Sequence, residues 1–313
     1  MIESYTLGNL EFNNRILVAS GTFGYGDEVP DLVDISKLGG VMTKSLSMKP
    51  RDGNPNPRIT ETASGMLNSI GLANIGVHKF IAEKLPVLQK YDTRIIANIA
   101  ASSVDEYCSV LELLDAQKGV HGFEINVSCP NVKEGGLSFG TDVKLVSLIT
   151  KELRRRTQKP LIMKLTPNVT HISEFARACE AEGADAVSVI NTVIGMAVNI
   201  NKRTPKIATT TGGLSGPAIK PIALAKVYET VHAVKIPVIG IGGIVSWEDA
   251  VEFLIVGASM VQIGTANFIN PSTGVSVADG VRRFCETNGM DDVAKLVNTL
   301  QTNKTISVID SWL

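Results

Sequence analysis

The chain has 313 residues, 44% of them hydrophobic, with 30 basic and 31 acidic side chains and a formal net charge of −1. Such a length buries a large core without covalent staples, and balanced charge gives no bulk pull toward nucleic acid or an anionic membrane. Four cysteines, Cys108, Cys129, Cys179 and Cys285, are too widely spaced for a zinc or iron–sulfur ligand cluster or a dense disulfide framework, which predicts reduced thiols and a cytoplasmic protein.

The opening MIESYTLGNLEF has neither a basic nor a long apolar region and is not expected to be a signal peptide. Nowhere does an apolar run approach the ~18 residues of a membrane span. The stretch 5-YTLGNLEFNNRI-16 reads as a small hairpin around Gly8-Asn9, expected to plug one end of the fold. Strand signals then recur at 15-RILVAS-20, 40-GVMTKSL-46, 94-RIIANIA-100, 122-GFEINVS-128, 160-PLIMKLT-166, 185-DAVSVIN-191, 237-PVIGIGG-243 and 260-MVQIGTA-266. They are apolar at nearly every position, as parallel strands covered on both faces are.

Helical periodicity fills the intervals. The run 103-SVDEYCSVLELLDAQKG-119 opens on a capping-box pair, Ser103 and Glu106, with Gly119 as a C-terminal stop. The run 142-DVKLVSLITKELRRRTQ-158 has an acidic start and a basic end that suit the helix dipole, and 246-SWEDAVEFLIVGA-258 runs from a serine cap to Gly257. Eight strand–helix repeats predict an α/β fold, a (β/α)8 TIM barrel forming one domain over 1–313; the alternative is a doubly wound open sheet. Three connections, 46–74, 129–141 and 191–220, are long and all leave the C-terminal ends of strands, where barrels carry their sites.

Polar residues inside apolar strands are costly unless paired, so they point to function. Lys44, Asn98, Asn126, Lys164 and Asn191 belong to five different strands, and Cys129 follows the fourth. A barrel directs all of them toward one mouth. Two lysines and three amides there suit a flat, polar, anionic heterocycle, although any single asparagine could simply bond a neighbouring loop. Gly242-Gly243 and Gly264-Thr265 end strands seven and eight, where barrels commonly bind phosphate on bare backbone amides. The run Gly-Ile-Gly-Gly at 240–243 lacks the third glycine of a dinucleotide fingerprint.

With 43-TKS-45, 68-NSIGLAN-74, 124-EINVSCPNVKEGG-136, 191-NT-192, 199-NINKRTPKI-207, 212-GGLSG-216, 242-GG-243 and 264-GT-265 in this order, the whole chain resembles the class 1 dihydroorotate dehydrogenases, and among them the 1B catalytic subunits. The resemblance implies FMN at the barrel mouth and oxidation of dihydroorotate to orotate in de novo UMP biosynthesis. It implies FMN contacts from Ala19, Ser20, Gly21, Lys44, Ser45, Asn98, Asn126, Lys164, Ile190, Gly216, Gly242, Gly243, Gly264 and Thr265. Orotate would be held by Lys44, Asn68, Ser69, Ile70, Gly71, Leu72, Asn126, Asn191 and Thr192. Cys129 takes the catalytic-base position, and Gly135-Gly136 would give its loop hinge-like freedom. It also implies a partner subunit carrying FAD and a [2Fe–2S] centre that passes electrons to NAD+, and a pair of catalytic chains in a heterotetramer. The related 1A type uses fumarate instead.

The residues themselves allow this chemistry. A thiol with a pKa near ~8.5 supplies some thiolate at neutral pH, whereas Cys108, Cys179 and Cys285 lie within helical patterns and read as inert. Lys164 is placed to stabilise negative charge on a reduced flavin. His121 precedes strand four, away from the mouth, and reads as structural. A dihydropyrimidine dehydrogenase-like flavin barrel would share the Ser-Cys-Pro element, and a tRNA dihydrouridine synthase would need a basic, RNA-binding extension. A sugar-phosphate barrel without flavin would use the glycines but leave Lys44, Asn98 and Lys164 unexplained.

Overall fold

Eight parallel strands hydrogen-bond side by side into a closed ring in the computed structural model, which describes residues 1–28, 32–128 and 139–302. In chain order the strands are β1 (Tyr5–Leu7), β2 (Leu10–Phe12), β3 (Ile16–Val18), β4 (Gly40–Met42), β5 (Ile59–Thr62), β6 (Gly65–Asn68), β7 (Arg94–Ile99), β8 (Gly122–Asn126), β9 (Leu161–Leu165), β10 (Ala186–Val189), β11 (Val193–Gly195), β12 (Val198–Asn199), β13 (Thr204–Pro205), β14 (Gly212–Ser215), β15 (Val238–Ile241) and β16 (Met260–Ile263). The ring runs β3-β4-β7-β8-β9-β10-β15-β16 and closes, so all eight expected barrel strands form in sequence order and the open-sheet alternative is excluded. Both faces are covered, as the unbroken apolar runs required.

The outer layer is helical: α1 (Val77–Lys79) and α2 (Leu85–Leu88) joined by a π turn, then α3 (Val104–Asp115), α4 (Val143–Arg154), α5 (Ile172–Ala181), α6 (Lys220–Val231), α7 (Trp247–Val256) and α8 (Thr273–Thr287). After β3 the described chain has only a 3-10 turn, Ile35–Lys37, so the first of the eight expected helices is reduced to one turn. Ser246 and Asp249 make a full capping box at α7, and Gly257 ends that helix with φ +120°. At α3 the box is half made: Ser103 caps the Glu106 amide, but the Glu106 carboxylate accepts from Ser102 and Arg51 instead of the Ser103 amide. Gly119 is likewise no helix stop, because α3 ends at Asp115 with Ala116 as its cap.

The hairpin β1–β2 closes the N-terminal end of the barrel. Its turn needs the left-handed backbone that Gly8 supplies at φ +60°, and Leu7 and Phe12 pack against Leu17, Met42, Ile96, Ile162, Ala186, Ile239 and Met260. Burying each such side chain favours folding by roughly 1.5–3 kcal/mol. At the other end, the long connections build a cover that the sequence did not announce. Strands from 46–74 and 191–220 pair antiparallel in the order β11-β14-β6-β5.

His121 sits at the plugged end, where its Nδ1 accepts the Ile95 amide at 3.0 Å. Burial lowers its pKa below the ordinary value, helped by the positive Arg94 and Lys159 nearby. The unfolded chain therefore takes up a proton near pH ~6.5 while the folded one resists, so this histidine's contribution is full above that pH and declines below it. His121→Asn keeps an acceptor for the Ile95 amide but does not titrate. Its melting temperature is expected to fall less than that of the parent between pH 7 and pH 5.5. Parallel curves would remove His121 as a source of acid sensitivity.

Candidate active site

Residues two apart on a strand face the same side. Counting up from the apolar layer over the plug, Ile96 leads to Asn98, Ile162 to Lys164, Ala186 to Ser188 and Met260 to Gln262, which makes a polar layer inside the ring. Its centre is Glu124 on β8, fully buried. Glu124 Oε1 accepts from Asn98 Nδ2 at 2.7 Å and Lys164 Nζ at 3.4 Å. Oε2 accepts from Ser188 Oγ at 3.0 Å and Gln262 Nε2 at 2.6 Å. Ser45 Oγ donates to Asn98 Oδ1 at 2.6 Å, which fixes the orientation of that amide.

One step higher, Asn126 Oδ1 accepts from Ser128 N at 3.1 Å and Asn191 Nδ2 at 3.2 Å. Asn191 Nδ2 also reaches Ser128 Oγ at 3.0 Å, while its Oδ1 accepts the Thr192 amide at 2.8 Å. Tyr107 of α3 anchors this corner by donating to the Asn126 carbonyl at 2.7 Å. The cover sheet brings in the remaining segment: Asn68 Nδ2 donates to Gly213 O at 3.2 Å, and Gly213 in turn abuts the Thr192 side chain. Ser69, Ile70, Gly71 and Leu72 continue from β6, with Ser69 N bonded to Arg58 O and Asn54 N to Ile70 O.

The other expected residues end barrel strands on the same face. Ala19, Ser20 and Gly21 follow β3, Lys44 and Ser45 follow β4, and Ile190 follows β10. Gly242 and Gly243 follow β15, Gly264 and Thr265 follow β16, and Gly216 follows the cover strand β14. Lys44 is partly buried, and its desolvation lowers its pKa despite the attraction of Glu28. A surface cleft of about 510 Å3 beside Met48, His78, Ser109 and Glu112 lies outside the barrel wall and includes none of these residues.

The dihydroorotate dehydrogenase family model matches residues 2–285. The chain belongs to the dihydroorotate dehydrogenase family. Three relatives called dihydroorotate dehydrogenase B (NAD(+)), catalytic subunit, illustrate the similarity. The one from Geotalea uraniireducens is 50% identical over 96% of this chain and 98% of its own. The Pelobacter propionicus relative is 52% identical over 94% and 97%, and that from Bacteroides thetaiotaomicron 46% identical over 95% and 98%.

The mouth suits the flavin that the family implies. A Cβ built on Gly21 meets nothing within 4 Å and one on Gly264 meets only Ala19, so both glycines border open space. Among the described residues Lys164 Nζ has one acceptor, Glu124, and Lys44 Nζ and Asn126 Nδ2 have none, which leaves donors for a ligand.

Cys129 lies outside the described residues, as does 130–138 with its Gly135-Gly136. Cys108, Cys179 and Cys285 are buried in α3, α5 and α8, and burial pushes the Cys179 thiol up to about 12. Sequence reasoning missed Glu124, Ser188 and Gln262. Asn168 was missed as well: its amide donates to Thr192 O at 3.1 Å and accepts from Ile194 N at 3.0 Å, tying the β9 loop to the β10 loop. The missing signal was the two-residue step, since Glu124 precedes Asn126 on the same face of β8. None of the described helices is long and apolar enough to cross a membrane.

Proposed function

We propose that this chain is the catalytic subunit of an NAD-linked dihydroorotate dehydrogenase that oxidises (S)-dihydroorotate to orotate with one bound FMN. The supporting observation is the ring of unused donors from Lys44, Lys164 and Asn126 at one barrel mouth, in a chain of this family. FMN supplies the hydride acceptor when bound. Ala19 to Gly21, Ser45, Asn98, Ile190, Gly216, Gly242, Gly243, Gly264 and Thr265 would hold it, and Lys164 would offer a fixed cation to the negative charge of its reduced form. Asn68 to Leu72 receive the substrate carboxylate on backbone and amide donors. Lys44, Asn126, Asn191 and Thr192 hold the amide-like edges, whose alternating donors and acceptors match asparagine. Cys129 would act as the base that takes the C5 proton.

Electrons then leave through a separate subunit carrying FAD and a [2Fe–2S] centre, and two catalytic chains pair within a heterotetramer. The relatives' names supply the NAD and subunit parts of this reading. The purified chain is expected to be yellow, to bleach anaerobically with dihydroorotate, and to reduce an artificial dye but scarcely any NAD+. Bleaching by another pyrimidine but not by dihydroorotate would overturn the substrate, and a colourless protein that binds no FMN would overturn the flavin. Efficient NAD+ or fumarate reduction by the chain alone would remove the partner.

A further inference from the structure

Glu124 has no place in the chemistry above, yet its two oxygens accept four side-chain hydrogen bonds inside the barrel. Side chains from four other strands, Asn98, Lys164, Ser188 and Gln262, all donate to its two oxygens, and it has no exposure to solvent. Two amide nitrogens, an ammonium and a hydroxyl directed at its two oxygens are surroundings that suit a carboxylate, and the only cation among them is Lys164. Gln262 adds a second sign. Its amide turns the nitrogen toward Glu124 and leaves Oε1 buried without a partner among the described residues, an arrangement that a carboxylate neighbour favours against the amide's own needs.

We propose that Glu124 is a positioning residue that sets the electrostatics of the flavin site by fixing Lys164 and Asn98 from beneath and partly neutralising the Lys164 ammonium. The idea rests on the flavin reading above. Asn98 is locked between Ser45 and Glu124, so its amide is presented in one orientation. Lys164 is held by one of its three N–H groups, and the others remain for the cofactor. A negative charge this close to Lys164 weakens the hold of that cation on a reduced, anionic flavin. The carboxylate thus lowers the midpoint potential, and the four donors moderate how strongly it does so.

Two substitutions shift the balance in opposite directions. Glu124→Gln removes the charge but keeps an acceptor for Lys164, and rotation of the Gln262 amide would give its orphaned oxygen a donor. Its flavin potential is expected to rise above that of the parent with FMN content retained. Ser188→Ala removes one donor from Glu124 Oε2 and concentrates its charge, so the potential is expected to fall. The experiment is spectroelectrochemical titration of bound FMN in the parent and both variants, alongside melting temperature. A parent that binds no FMN defeats the flavin reading itself. An FMN-loaded parent whose variants melt lower but titrate at its potential overturns the proposal and leaves Glu124 a purely structural hub. If Glu124→Gln does not fold, Ser188→Ala decides by the same criterion.

Discussion

Lys164→Ala is expected to damage fold and flavin together, and a second substitution separates the two losses. The sequence assigns Lys164 to the charge on a reduced flavin, which weights the expected loss toward the cofactor. The structure alters that balance, because Lys164 is 6% exposed and pairs with the fully buried Glu124. Deleting one member of a buried ion pair typically costs about 3–5 kcal/mol, since the other charge stays behind without compensation. The apo variant should melt several degrees lower. It should also retain less FMN and bleach more slowly with dihydroorotate, because the cation facing the reduced flavin is gone. Adding Glu124→Gln removes the stranded carboxylate, so the double variant should regain much of the lost stability. It should not regain the bleaching rate, which no amide at position 124 supplies. Such non-additivity is expected of residues in contact. If Lys164→Ala keeps the FMN content and bleaching rate of the parent, Lys164 serves Glu124 alone and the cofactor assignment fails.

The barrel was legible because its signal is local. A parallel strand covered on both sides must be apolar at nearly every position, and runs such as 160-PLIMKLT-166 declare themselves without knowledge of their neighbours. The mouth was legible for the same reason, since Lys44, Asn126 and Lys164 interrupt such runs. Two things were less visible. Glu124 is two residues before Asn126 and shares its strand face, but its role depends on Ser188 and Gln262, which are 64 and 138 residues away in sequence. The cover sheet depends on pairing Asn68 with Gly213 across 145 residues. Its strands are three or four residues long and rich in glycine, which gives little periodicity to read. Caps show a similar limit. Ser246 with Asp249 closes a full box, whereas Glu106 at the same spacing is drawn away by Arg51 and Ser102, partners that sequence spacing cannot reveal.

Cys129→Ser is expected to keep the flavin and lose most turnover. The FMN contacts proposed here lie on other residues, so absorbance of the bound cofactor should be unchanged. A general base contributes typically 10²–10⁴-fold, and a serine hydroxyl without an activating partner is far more reluctant to take a proton than a thiolate. At pH 7 a loss of that order is expected in the rate of anaerobic bleaching by dihydroorotate. The substrate dissociation constant should move little, since Asn68, Asn126, Asn191 and Thr192 are the residues assigned to hold it. The parent's rate should climb with pH and level off once the thiol has ionised. The serine variant should still be climbing beyond that point, because its hydroxyl ionises only at much higher pH. The other three cysteines provide a control, for they are buried in α3, α5 and α8 and burial raises the pKa of each. Cys179→Ala, for instance, should alter stability but not the pH profile of bleaching. Parent-like bleaching by Cys129→Ser at pH 7, or a profile that follows Cys179 instead, would end the assignment of Cys129 as the base.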